Sequence, residues 1–243
     1  MSTRFFSTMR DRMLNRTGSN RTGAPSTSDA PDVIRFDAPA SIAADAIRAP
    51  HIIDARSTGA GYLSGQCLVA TQLVTGSCFQ RSVVYIFQHN DDGAMGLIIN
   101  QSLERVRLAT LLETTGTPHP TTDKIVPVYF GGPVEKTRGF VLHSADYMAD
   151  FTLMRHGDIA ITASNAILSA IAADSGPRHA QLCIGYAGWQ AGQLENEITE
   201  NSWITVPATT ALLFGTEDEL KWATAGKSLG VDMSFYSASV GHA

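Results

Sequence analysis

Few side chains in this sequence have the chemistry to act on a bound molecule, and they are scattered. His89 closes the run SVVYIFQH and His143 closes GFVLH, each followed by a polar residue, Asn90 and Ser144. Strand ends are where sites collect, although a lone histidine at a sheet edge is more often a satisfied polar group. Two such histidines need a third ligand to hold zinc, and no spacing supplies one, so no metal is expected. Arg81 stands directly before the run at 82–89. A guanidinium there can pair with an acid, hold a phosphate or bind a partner's carboxylate, a structural ion pair being the default. Gly131-Gly132-Pro133 follows VPVYF, the order seen in phosphate and oxyanion loops. A tight turn between two strands explains the same residues sterically. Glu195 and Glu197 lie two apart, a spacing that puts them on different faces of a helix. They do not make a paired-carboxylate site, and Glu195 is expected against Arg81 or Arg138 in a structural role.

Cys67, Cys78 and Cys183 are the three cysteines. Without a C-x-x-C pair they suggest neither a disulfide framework nor a zinc site, and a reducing cytoplasm suits them. Cys67 and Cys183 lie in apolar runs and read as small core hydrophobes. No Walker loop, G-x-G-x-x-G, G-x-S-x-G, H-E-x-x-H or EF-hand loop is present. No catalytic residue and no cofactor is therefore assigned. The candidates for a small-ligand pocket near the hairpin ends are Arg81, Asn100, Gly131, Gly132 and His143.

The elements that must position these residues begin at Gly59. Residues 66–71 (QCLVAT) read as a strand, and 82–89 as a strand buried on both faces. Asn90-Asp91-Asp92-Gly93 is turn chemistry, and 94–100 (AMGLIIN) returns to complete a β-hairpin. Residues 102–113 (SLERVRLATLLE) show helical spacing of Leu108, Leu111 and Leu112. Strands at 126–130 and 139–143, joined through Gly131-Gly132-Pro133, make a second hairpin-like unit. Residues 158–162 form a short strand, followed by a helix capped by Ser164 or Asn165 and running to Ala173. A strand at 179–187, a helix at 189–201, an extended stretch at 203–206 and a helix at 217–227 complete the pattern. Tyr85, Phe87, Trp189, Trp203 and Trp222 are expected as core or interface aromatics. Hairpins require antiparallel pairing, so the fold class is α+β or mixed, not doubly wound.

Charge divides the 243 residues unevenly. Residues 1–21 hold five arginines and one acid, a net +4, while the remaining 222 carry 13 basic and 22 acidic groups, a net −9. An acidic body is a poor match for phosphate-backbone binding. Residues 1–58 contain no Lys and no Glu. Their start lacks the apolar core of a secretory signal; it is Arg/Ser/Thr-rich like an organellar transit peptide, with a disordered extension the favoured reading. A short helix at 41–48 is expected between Pro39 and Pro50. No stretch approaches the ~18 apolar residues of a membrane-spanning helix.

Taken in order, QRSVVYIFQHNDDGAMGLIIN (80–100), YFGGPVE (129–135), RGFVLHS (138–144), GYAGWQAGQLENEI (185–198), NSWITVPA (201–208) and the closing GHA (241–243) resemble the YqgE/AlgH family. Members of that bacterial family carry a transcriptional-regulator label or are uncharacterised. The resemblance runs from about Gly59 to Ala243. ATQLVTGSCF (70–79) departs from the family's A-x-P-x-L-x-D-P-x-F, lacking both prolines and the acid. The resemblance implies a single α+β domain, with a mixed, largely antiparallel coiled β-sheet packed around core helices, at 59–243 behind an N-terminal extension at 1–58. It implies a cytoplasmic protein and supplies no catalytic residues. The leading expectation is a non-enzymatic regulator that binds another protein, without sequence-specific DNA binding by the folded domain. The alternative is a small-ligand binder or enzyme using the candidate pocket.

Overall fold

The computed structural model describes residues 34–37, 62–148 and 152–230. The expected helix at 41–48 lies outside them. Among the described residues ten strands form one mixed sheet. β1 (Gln66–Ala70), β2 (Val83–Asn90) and β3 (Gly93–Ile98) run antiparallel, with β10 (Trp203–Pro207) on the outer edge of β1. The β2–β3 hairpin turns at Asp91-Asp92, where the Asp92 amide donates to the Asn90 side-chain oxygen at 3.0 Å.

β9 (Ala180–Gln190) is the spine. One edge pairs antiparallel with β3 and parallel with β5 (Ile125–Phe130). The other edge carries β6 (Val134–Ser144), then β8 (Ile159–Thr162) and β7 (Thr152–His156). Period-2 alternation sorts the side chains. Leu68, Val84, Ile98, Val128, Leu182 and Ile184 face helices α1 (Leu108–Thr114), α2 (Asn165–Ala172) and α3 (Gln193–Thr199). Cys67, Val69, Tyr85, Phe87, Phe140 and Cys183 face the other way. The curled sheet holds that second core, capped by a π-helical turn (Ala211–Gly215) and by α4 (Asp218–Lys227). The α+β class and the mixed, largely antiparallel coiled sheet follow directly from this topology.

Four expectations need correction. Residues 102–113 are not one helix. Ser102–Arg107 is strand β4, paired with β5, and the helix starts only at Leu108. Burying Leu103 and Val106 on the β5 partner overrides helical spacing that belongs to the leucines alone. β5 and β6 are not a hairpin, because Cys183 and Ile184 pair with both and hold them on opposite edges of β9. Trp189 is in β9 rather than a helix, since β3 continues to pair as far as Gln190. Residues 34–37 are not a free leader. Arg35 forms a parallel bridge to Arg138, and Ile34 is 4% exposed in the first core. Strand β7 and the π-helical turn have no counterpart in the sequence reading.

Candidate functional site

The five sequence-predicted residues separate into three places. Arg81 and Asn100 share one. Arg81 has a left-handed backbone, φ 54°, a conformation that costs a non-glycine residue of order 1 kcal/mol or more. Asn100 fixes it: its Nδ2 donates to the Arg81 carbonyl at 2.9 Å, while its Oδ1 accepts from the Val83 amide at 2.8 Å. The Arg81 guanidinium then lies 5.4 Å from the centre of the Trp222 indole, within cation–π range. Trp222 is itself anchored by its Nε1–H, which donates to the Ala70 carbonyl at 2.7 Å. Among the described residues Arg81 makes no carboxylate ion pair, so the default pairing with an acid does not describe it.

These residues border an open cleft of about 300 Å³, completed by Gln80, Gln101, Asp218 and Glu219. Behind its wall stands Lys221, 1% exposed. Its Nζ donates to the Ile99 carbonyl and to Asp218 Oδ1, both at 2.8 Å, and sits 5.4 Å from the Tyr129 ring centre. The ammonium is thus paired and hydrogen-bonded, as a buried charge must be. Burial, reinforced by Asp218, holds the Tyr129 phenol far above its ordinary range. Sequence reading missed this group. The D-x-x-K spacing on α4 was a usable signal for the ion pair, but lysine is so seldom buried that its depth was not.

Gly131 and Gly132 lie elsewhere. They carry the chain across β9 from the edge held by β5 to the edge held by β6. A Cβ on Gly131 would stand 2.3 Å from the Gly185 carbonyl oxygen, and one on Gly132 would stand 2.2–2.4 Å from Tyr186 and Ala187 backbone atoms. The Gly131 amide donates to Ile184 O, and its carbonyl accepts from the Ile98 amide, each at 2.8 Å. Close backbone passage accounts for both glycines.

His143 is fully buried, away from the cleft. Its Nδ1 lies 2.9 Å from Ser144 O and its Nε2 3.0 Å from Thr162 Oγ1. A carbonyl only accepts, so Nδ1 carries the proton and Nε2 accepts from Thr162. Burial lowers the His143 pKa below its usual value. His89 is equally committed: Nδ1 accepts from the Leu63 amide and Nε2 donates to Glu195 Oε1 at 2.8 Å. This corrects the expectation that Glu195 meets Arg81 or Arg138. Glu197 accepts from the indole nitrogens of Trp189 at 2.9 Å and Trp203 at 2.7 Å. Burial pushes the Cys67 and Cys183 thiols up to about 12, leaving them protonated and unreactive at neutral pH. Among the described residues no three His, Cys, Asp or Glu side chains are grouped to hold a metal.

The AlgH-like family profile matches residues 67–234. A UPF0301 protein of Mesorhizobium japonicum is 44% identical over 77% of this chain and 96% of its own length. The chain belongs to the AlgH-like family. The solution structure of the AlgH protein from Pseudomonas aeruginosa superposes with a TM-score of 0.61 at 38% identity, over 76% of this chain and 98% of that one. A crystal structure from Corynebacterium diphtheriae shares the fold at 21% identity and TM-score 0.57, covering 72% and 92% of the two chains. The AlgH-like span contains every residue of the cleft, whereas residues 34–37 lie before it. In the divergent stretch 70–79, Phe79 retains a packing role, its ring 5.8 Å from Trp203 and 6.3 Å from Trp189. Gly76, where the resemblance would place an acid, has open space around it.

Proposed function

We propose that this AlgH-like protein is a non-enzymatic, cytoplasmic regulatory protein that docks another protein at the Arg81 cleft. The observation that carries the reading is the held guanidinium: Arg81 is strained into place by Asn100, rests on Trp222 and is exposed. A cation that is immobilised yet open to solvent loses little further entropy on meeting a carboxylate, and aromatic–arginine pairs are typical anchors of protein interfaces. Exposed Glu219 on the same rim disfavours a polyphosphate and suits a polypeptide carrying both signs of charge. Regulation then passes through a protein contact, consistent with the net charge of −9 over residues 22–243, which opposes direct DNA binding. A second reading is favoured by the cleft volume of about 300 Å³, at the lower end of small-ligand sites: a small polar molecule would take the same anchor.

The test is a photo-crosslinking residue at Gln80, on the exposed rim, and another at Asn196 on α3 as a control. In cells, discrete protein adducts are expected from position 80, lost when Arg81→Glu is added, and none of the same adducts from position 196. The reading is wrong if position 80 yields no protein adduct. A small molecule that co-purifies with the wild type and not with Arg81→Glu would replace it with the second reading.

A further inference from the structure

Strand β6, eleven residues long like β9, has a two-part outer edge. Val141 to Ser144 pair there with β8, but β8 stops short, and the edge before it is filled by residues 34–37. The Arg35 amide donates to Thr137 O at 2.8 Å, and the Gly139 amide donates to Arg35 O at 2.7 Å. Ile34 and Phe36 flank that residue and sit over Gly139, where a Cβ would come within 2.6 Å of the Phe36 ring. Arg138, with its side chain 8% exposed, pairs with Asp37 Oδ1 at 3.0 Å and with Glu135 Oε2 at 2.6 Å. Glu135 has φ 44° and also accepts from the Tyr186 hydroxyl at 3.1 Å. The domain contributes the Thr137 carbonyl, the Gly139 amide, a hollow at Gly139, and the Arg138 guanidinium held by an acid with a left-handed backbone.

The slot and its occupant fall on different sides of the family match. Every wall residue lies within the AlgH-like span, and the occupant lies outside it, joined through the 24 residues 38–61. We propose that this edge is a strand-addition site for an extended segment of another protein, reading apolar–any–aromatic–Asp, and that residues 34–37 are its displaceable internal occupant. Main-chain pairing supplies affinity, and the Gly139 hollow and Arg138 supply the side-chain preference. Because residues 34–37 belong to the same chain, a competing segment binds only after local opening, without unfolding of the sheet. This site is independent of the Arg81 cleft.

Two measurements on the full chain test it. Amide hydrogen exchange compares Gly139, bonded to Arg35, with Gly131, bonded to Ile184. Gly139 is expected to exchange at least about 100-fold faster; equal protection would make residues 34–37 a permanent strand and overturn the proposal. A fluorescent peptide of residues 30–41 is then titrated against wild type and against an Ile34→Ser/Phe36→Ser variant. Binding at least about tenfold tighter to the variant is expected, with no binding of a peptide carrying Phe36→Ser. Equal affinity for both proteins, or no binding to a folded variant, would overturn the proposal. If the variant does not fold, the exchange ratio decides alone. Self-association of the wild type with Gly139 and Gly131 equally protected would assign the edge to a second copy and also overturn it.

Discussion

At Gly131-Gly132 the backbone passes so close to Gly185 and Tyr186 that not even a methyl group fits. At Arg81 the backbone is also unusual, with φ 54°, yet the residue is a long cation facing solvent. The two places are neighbours through the end of β3 and the residue after it: the Ile98 amide donates to Gly131 O, while Ile99 O receives Lys221. At the crossing, glycine is demanded by packing, and the Gly131 amide and carbonyl are both taken up by the sheet. In the cleft, strain is tolerated at a residue for which glycine would be easier. Strain kept without a packing reason is the better marker of function. Gly-Gly-Pro fits a ligand loop as well as a steric turn in sequence because a crossing and an anion loop use the same residue types.

The sharpest way to break this contrast is to add the missing methyl groups. Gly131→Ala and Gly132→Ala should each cost roughly 4 kcal/mol or more, since the clash is with backbone and not with a side chain that can move. Chemical denaturation, or failure to accumulate folded protein, reads the effect. Variants as stable as wild type would return the glycines to a ligand role.

The buried pair behind the cleft comes next. Asp218→Ala strands the Lys221 ammonium beside Ile99 O and should cost about 3 kcal/mol. Lys221→Met keeps the apolar stem and leaves Asp218 a path to water, its side chain being 20% exposed, so it should cost less. The reverse order in urea midpoints would mean that the lysine, not its pairing, supports α4.

Acid should act on the β6–β8 side before it acts on the cleft. Burial lowers the pKa of both His143 and His156. Their folded values lie below the unfolded one, so the native state binds fewer protons. Stability is then complete above about pH 6.5 and declines as pH falls below that, towards the folded values. Protonating His143 also turns Nε2 into a donor facing the Thr162 hydroxyl. Melting temperatures read from pH 7 downward, with imidazole shifts followed by NMR, check both the sign and the residue. A His143 resonance titrating at an ordinary value would show the ring to be open to water.

The sheet was legible where the sequence itself alternates or turns. The β2–β3 hairpin, β9 up to Ala187 and the Ser164 cap, whose Oγ accepts from the Ala166 amide at 3.2 Å, all follow from local residue types. What local pattern could not carry was partner choice. SLERVR becomes a strand because β5 lies beside it, and VPVYF and GFVLH part because β9 runs between them. The candidate site was legible to the same degree. Arg81 and Asn100 were found as polar residues at strand ends, whereas Trp222 and Lys221 come from a helix more than a hundred residues away.

The smallest expected change is the most informative for the cleft. Arg81→Gly removes the strain of φ 54°, a gain of order 1 kcal/mol, but adds backbone entropy to the unfolded chain, a loss of roughly 0.5–1 kcal/mol. It also loses the contact with Trp222, about 0.5–1 kcal/mol at an exposed site. The net should lie within about 1 kcal/mol of zero. Arg81→Ala loses the same contact without relieving the backbone, so it should be the less stable of the two. Both should lose the adducts formed from position 80, because both remove the guanidinium. Urea melts of the two variants beside wild type separate the terms. If Arg81→Ala is the more stable variant, the left-handed backbone is not strained. The contrast with the glycine crossing would then rest on exposure alone.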